Sequence, residues 1–582
     1  MIHHLLDSMW GQANALFAAP FRRRRWVDVL LVAAAFGLLY GLIQMGREWT
    51  AIQRPQLVID LSPWALPQYT FFSMMRGLTA YVLSLAFTLV YAYWAAKDSR
   101  SEKVLIPLLD ILQSIPVLTF LMPLLLVMVA LFPRSNVGLE ITAILTIFTG
   151  QVWNMTFSLY HSLKSVPGEF HEAGTVYRFN WWQRFKWVEL PFATTGLAWN
   201  SMMSMAGGWF FLMINESLKV GDKDFRLPGL GSYMSVAVER GDVPAQLCAV
   251  GAMILMIVFL DQVLWRPIVV WAQRFKVEDT VQAQAPQSWV LNAIRGSRLI
   301  RRWDRMLARR RQARQKAMAR APLREPALAR AEQAAPWLSL IALLTISGLL
   351  LLGARGLMHL LSHMPARAWL HLLKADGLTL GRVVLSVVIG VAWALPAGLA
   401  IGLSPRLSRI FQPVVQVAAS FPAPMLFPAV VAGLAILRVG LGWGSIVLML
   451  LGTQWYILFN VIAGASAIPS DLREVATSFG YGRWQRFKVL YLPAIFPYLV
   501  TGCLTAAGGA WNASIVSEFV SLKGTTLKTF GLGAIVSQAT DEKDFVMLAA
   551  GTLVLAGTVV LFNRLVWKPL YHLAETRYSF SK

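Results

Sequence analysis

Four charged residues stand where the surrounding sequence is apolar, and they form two pairs. Arg76 and Arg382 enter long apolar runs, while Glu216 and Glu518 follow small-residue stretches, "MAGGW" 205–209 and "AGGAW" 507–511. A charge within a membrane span is costly and marks a pathway, a relay or an ion pair. Near the outer surface an arginine can draw in an anion, or it can reach the interface along its own stem. The glutamates could gate an outer mouth, cap a helix or pair with a basic neighbour. Small residues allow close helix approach. Gly207, Trp209, Gly509 and Trp511, with Glu216, Glu518, Arg76 and Arg382, are therefore the candidate pathway-lining or gating residues.

Bond-making chemistry finds no support. The 8 histidines are scattered without metal spacing, and Cys248 and Cys503 both lie in apolar runs. No Ser-His-Asp or paired-carboxylate arrangement can be read, and Gly-Lys, which closes a phosphate-binding loop, does not occur. The expectation is a chain with no catalytic residue, no metal and no cofactor of its own.

The elements that must position these residues are membrane helices. The 582 residues are 56% hydrophobic and 14% charged, against about 25% charged in an ordinary soluble protein. Apolar runs of the length a membrane helix needs centre on 26–44, 69–96, 104–133, 139–163, 192–215 and 246–272. A second set centres on 337–360, 378–403, 410–437, 441–466, 494–517 and 546–567. The predicted fold is all-α, with about twelve spans in two six-helix halves. The first run has no following cleavage site of small residues, so it reads as a retained span and not a signal peptide.

The net charge of +23 raises the question of nucleic acid, and the placement of the charge answers it. Arg22–Arg25 abut the first run, and 13 Lys or Arg crowd residues 295–330 between the halves. Such clusters hold their side of a membrane protein in the cytoplasm, and no nucleic-acid motif accompanies them. Both termini and the linker are thus expected inside. Within the linker, Arg298, Arg301, Arg302, Arg305 and Arg309 alternate with Ile300, Trp303, Met306 and Leu307. That pattern suits a basic amphipathic helix on the membrane surface or a solvated linker.

The halves are copies. At an offset of 302 residues, Trp153 matches Trp455, Pro167 matches Pro469, Glu216 matches Glu518, and "GLG" 229–231 matches "GLG" 531–533. Upstream the offset becomes 306, pairing Arg76 with Arg382 and "SIP" 114–116 with "SFP" 420–422. An even number of spans per half makes the repeats parallel. The division is 1–273 for the first repeat, 274–336 for the linker and 337–582 for the second repeat.

One polar segment also occurs twice. "EAGTVYRFNWWQRFKWVELP" runs from Glu172 to Pro191, and "EVATSFGYGRWQRFKVLYLP" from Glu474 to Pro493. Each offers two short helical stretches about a turn, with "WQRFK" suited to the headgroup boundary and a polar partner. Glycine takes φ > 0 freely and asparagine is the next choice. With Arg178 in place of Gly480, the first copy is expected to turn at Asn180. Leu-Pro opens the next span, since proline is tolerated in a first turn. Pro116, Pro422 and Pro424 are expected to shape helices.

These segments, within 166–191 and 468–493, resemble the "EAA" loop of ABC importer permeases. Glu172, Ala173, Gly174, Leu190 and Pro191 match in the first copy, where Arg178 departs from the pattern. Glu474, Ala476, Gly480, Leu492 and Pro493 match in the second. About 200 residues of each half resemble the nitrate/sulfonate/taurine permeases, and the whole chain resembles duplicated anion-transport permeases. The resemblance implies a type I importer fold, two ATPase subunits that bind ATP in trans, and a periplasmic solute-binding protein. It also implies one copy of this chain per complex, in a bacterial inner membrane. The alternative is a two-half secondary transporter, which leaves both loops unexplained; a membrane-bound enzyme lacks any catalytic constellation.

Overall fold

A computed structural model describes residues 25–51, 58–220, 223–275, 288–297, 300–303, 305–306, 308–309, 336–522 and 525–578. Arg22–Arg24 of the basic cluster, Arg298, Leu307 and residues 276–287 and 310–335 of the linker lie outside that set. Linker residues 289–296, 300–303, 305–306 and 308–309 are helical.

Among the described residues, nine of the helices organise the first half. They are α1 (Arg25–Thr50), α2 (Leu66–Lys97), α3 (Ser99–Ser114), α4 (Val117–Leu131), α5 (Val137–Lys164), α6 (Gly168–Val176), α7 (Leu190–Glu216), α8 (Leu230–Glu239) and α9 (Val243–Leu260). The second half repeats them in order. They are α10 (Pro336–Leu361), α11 (Ala366–Leu403), α12 (Pro405–Ser420), α13 (Phe427–Ile436), α14 (Leu441–Ser466), α15 (Ser470–Ser478), α16 (Leu492–Ser517), α17 (Leu532–Glu542) and α18 (Phe545–Phe562). In each half one helix is sandwiched: α5 between α2 and α7, and α14 between α11 and α16. A two-stranded hairpin follows α7 (Lys219–Val220 with Lys223–Asp224) and α16 (Phe519–Leu522 with Thr525–Lys528).

Among the described residues, eight helices are long and apolar enough to cross a membrane, or nine if the bent pair α3–α4 counts as one. Helices α5 and α7 are more polar, yet at 28 and 27 residues they reach about 40 Å at 1.5 Å per residue. They are also the counterparts of α14 and α16, whose apolar stretches are among the eight. Hydrogen bonds fix which ends lie together. Asn136, just before α5, donates to Ala51 and Glu48 carbonyls after and within α1. At the opposite end Lys164 reaches Glu102 at 2.7 Å, and Lys97 reaches Glu189. The chain therefore changes side between α2 and α5, and α3–α4 is the segment that carries it across.

That segment corrects the reading of 104–133 and 410–437 as continuous spans. Helices α3 and α4 meet at 92°. Proline disfavours helical ψ in the residue before it and supplies no N–H. Ile115, before Pro116, accordingly adopts φ −79°, ψ 119°, and Phe421, before Pro422, φ −75°, ψ 127°. Helix α12 ends there, and a 3-10 turn over Ala423–Met425 leads into α13. Each broken helix packs against the other half: α3 on α10 and α18, and α12 on α7 and α9.

Among the described residues, four five-residue π-turns recur at the same offset, Phe185–Glu189, Asp261–Trp265, Phe487–Tyr491 and Asn563–Trp567. Each runs directly into a helix with proline in its first turn. A proline ring clashes with the carbonyl four residues back, and a wide turn relieves that clash.

Candidate functional site

The two loops share one backbone. Helix α6 ends in a Schellman motif: Arg178 N–H donates to the Thr175 carbonyl and Phe179 N–H to the Gly174 carbonyl, both at 2.9 Å. Helix α15 ends the same way, with Gly480 N–H to Thr477 at 3.0 Å and Tyr481 N–H to Ala476 at 3.1 Å. The motif needs a left-handed residue after the helix. That residue is Arg178 at φ 51° in one loop and Gly480 at φ 68° in the other. The expected shift of the turn to Asn180 does not occur. Asn180 has φ −71°, ψ 169° and caps the next helix, its Oδ1 accepting from Gln183 N–H at 2.8 Å while Gln183 Oε1 accepts from the Asn180 N–H at 2.9 Å. Arginine pays about 1 kcal/mol for a left-handed φ. The two Schellman bonds and the Asn180 cap, better than glycine by a few tenths of a kcal/mol, offset it.

Glu172, Ala173, Arg178, Glu474 and Gly480 are exposed, whereas Gly174 and Ala476 are buried beneath the turn. Leu190–Pro191 and Leu492–Pro493 open α7 and α16 and are half-buried. Large apolar groups are exposed beside the acids: Trp182 and Val176 on the first loop, Phe479, Val475 and Trp484 on the second. Such mixed surfaces suit contact with another protein or a headgroup layer.

Between the halves lies a cavity of about 220 Å³. Both helix breaks border it, through Ser114, Pro116 and Val117 on one side and Phe421, Pro422 and Ala423 on the other. Gln113, Thr149, Asn154, Thr453, Tyr456 and Asn512 are among its polar groups, and Trp153, Trp511 and Phe421 among its aromatic ones. Among the described residues, none that line it is Asp, Glu, Lys or Arg. Asn512 ties the halves together, its Oδ1 accepting the Val117 N–H at 2.8 Å. A second cavity of about 610 Å³, shared through Asn154, Met203 and Thr505, extends toward the loop end past Pro497, Tyr498 and Gln412.

Of the candidate pathway residues, Gly207, Gly509 and Trp511 line the cavity. A Cβ on Gly207 or Gly509 would sit 3.5 Å from the Tyr456 ring or hydroxyl, so side chains there would intrude on the space. Trp209 is buried and packs over Gly77, where a Cβ would lie 2.6 Å from its ring. The sequence reading missed Gln113, Asn154, Thr453, Tyr456 and Asn512. Polar side chains inside apolar runs were their only signal.

Arg76, Arg382, Glu216 and Glu518 lie away from the cavity and form two clamps. Arg76 is 1% exposed, so it does not reach the interface. Its Nε and Nη2 donate to Glu140 at 2.7 and 2.6 Å, and its Nη1 to Glu216 at 2.7 Å. Glu216 also accepts from Ser73 at 2.7 Å and from Gly231 N–H at 2.8 Å. The second clamp repeats this with Arg382 Nη1 to Glu518 at 2.7 Å and Thr379 to Glu518 at 3.0 Å. The "GLG" motifs follow from this geometry. A Cβ on Gly229 or Gly531 would lie 2.3 Å from the carboxylate of Glu216 or Glu518. Beyond the first clamp, burial works against the Arg226 charge, but Asp224 and Glu239 outweigh it and hold the guanidinium above its ordinary range.

Residues 73–264 and 386–566 each match the family described as binding-protein-dependent transport system inner membrane component, together more than half of the chain. The taurine transport system permease protein of Escherichia coli (strain K12) is 28% identical over 199 residues, 34% of this chain and 65% of that protein. The nitrate import permease protein of Leptolyngbya laminosa is 26% identical over 143 residues, 25% of this chain and 50% of that one. The riboflavin transport system permease protein of Chloroflexus aurantiacus is 32% identical over 152 residues, 26% of this chain and 53% of that one. The chain thus spans between about half and two thirds of the length of these curated relatives.

Proposed function

Because the chain belongs to the family of binding-protein-dependent transport system inner membrane components, we propose that it forms the whole translocation pathway of an ATP-driven importer for a small anionic solute. The observation that carries this reading is the uncharged polar cavity between the two repeats, bordered by both helix breaks and continuing toward the end that bears both loops. Uncharged donors such as Gln113, Asn154 and Asn512 suit passage, since a fixed cation would hold an anion too tightly to release it. The solute class draws on the taurine and nitrate relatives. A two-half secondary transporter would leave the double family match without a cause.

Each loop docks one separate ATPase subunit, which supplies the nucleotide chemistry, and rigid-body movement of the repeats passes closure to the cavity. The solute arrives from a binding protein at the far end. The loops, the termini and the 274–336 linker face the cytoplasm of the inner membrane. With both repeats in one chain, native mass measurement is expected to find one copy per two ATPase subunits.

Filling the cavity tests the pathway. Gly509→Leu and Gly207→Leu in reconstituted complexes are expected to lower ATP-dependent uptake at least tenfold while the complex stays assembled. Unchanged uptake in the double variant would place the route elsewhere. Topology is checked by single-cysteine labelling from outside, in a background with Cys248 and Cys503 replaced. It is expected to reach 218–228 and 520–530 and to miss the linker; a labelled linker would reverse the orientation.

A further inference from the structure

The two clamps differ around the arginine, and the differences leave one edge of the second guanidinium without a carboxylate. In the first repeat the Nε–Nη2 edge of Arg76 is taken bidentately by Glu140. At the 302-residue offset the second repeat has Gly442 in place of Glu140 and Thr529 in place of Leu227. Arg382 keeps the Glu518 bond on Nη1, but among the described residues its other edge meets only the Thr529 hydroxyl, which accepts from Nη2 at 3.1 Å. Arg382 is 13% exposed where Arg76 is 1%.

We propose that this edge is a binding site for a small carboxylate or sulfonate, present in the second repeat alone. The first repeat demonstrates that the scaffold accommodates the ligand's chemistry, since one arginine there holds two carboxylates. A planar guanidinium edge is matched to a two-oxygen acceptor. A side-chain carbon is tolerated beside that edge: a Cβ on Gly442 would lie 3.9 Å from Arg382 Nη2 and 3.5 Å from Thr529 Oγ1, ordinary contact distances. Thr529, having accepted from Arg382, retains a hydroxyl proton to donate to the anion. The Arg382 side chain is partly exposed. Arg382 lies 21 residues before the end of α11, about 31 Å along the helix axis from the loop end, close to the thickness of a bilayer's hydrocarbon core. An anion therefore reaches it at the far boundary without entering the apolar layer. The site is independent of the transported solute and stands or falls by direct binding.

The test is site-resolved phenylglyoxal modification of arginine in the full-length chain in nanodiscs, read by peptide mass spectrometry. Sodium acetate and sodium methanesulfonate, at ionic strength held constant with chloride, are expected to slow modification of Arg382 at least fivefold and saturably. Neutral dimethyl sulfone is expected to have no effect. Gly442→Glu, which restores the first repeat's carboxylate, is expected to slow modification as much without any added anion and to abolish further protection. Should that variant fail to fold, the wild-type protection curve decides alone. Modification of Arg382 that neither anion slows, or Gly442→Glu protein that anions still protect, overturns the site.

Discussion

Arg76→Ala is expected to destabilise the first repeat by about 3–5 kcal/mol, the range for removing one partner of a buried ion pair. Glu140 and Glu216 are 1% and 0% exposed and would be left facing each other's charge without a cation. The loss is not confined to one contact. Arg76 Nη1 also donates to the Pro228 carbonyl at 2.7 Å, so the loop that carries "GLG" loses one of its anchors to α2 and keeps the Leu230 N–H bond to Ser73. Lysine is not expected to rescue, because one ammonium cannot reproduce a bidentate bond to Glu140 together with a bond to Glu216. Arg382→Ala strands a single carboxylate beside partly exposed space and is expected to cost less, about 1–3 kcal/mol. Thermal unfolding of the purified chain in nanodiscs checks both. Equal and small shifts would mean that the clamps do not hold the far end of the repeats.

The repeat, most of the apolar helices and the recurrence of the two loop segments were legible in the sequence because each is a matter of composition or spacing. What was not legible depended on neighbours. Hydropathy records that 104–133 is apolar but carries no direction, so the bend at Ile115–Pro116 was hidden, although Ser-Ile-Pro and Ser-Phe-Pro at matched positions held the physical cause. Arg76 was expected near the outer surface, where depth alone favours a side chain that reaches water. Only the fold brings Glu140 and Glu216 to it from α5 and α7. The turn at Arg178 was misjudged for a related reason. A left-handed arginine is unfavourable by itself, but the hydrogen bonds of the motif outweigh a penalty of about 1 kcal/mol.

That shared backbone sharpens what the loops should do when altered. Glu172→Ala and Glu474→Ala remove exposed carboxylates from helices whose turns are already closed by main-chain bonds. Neither is expected to unfold the chain, and both are expected to lower coupled uptake several-fold while ATPase activity in the complex persists, with Glu474→Ala the more damaging. Gly480→Arg separates conformation from contact. Since Arg178 holds φ 51° in the first loop, arginine at 480 fits the same turn at about 1 kcal/mol, and no atom lies within 4 Å of a Cβ placed there. A loss of coupling larger than that strain explains would come from the long cationic side chain standing where an ATPase meets bare backbone. Arg178→Gly is the reciprocal test: it relieves the strain, so the first loop should be stabilised by a few tenths to 1 kcal/mol, with coupling changed only if Arg178 itself touches the partner. Uptake and hydrolysis are measured on the same reconstituted complexes. If Gly480→Arg and both glutamate variants transport like the unaltered chain, the two segments are not where the ATPases pull.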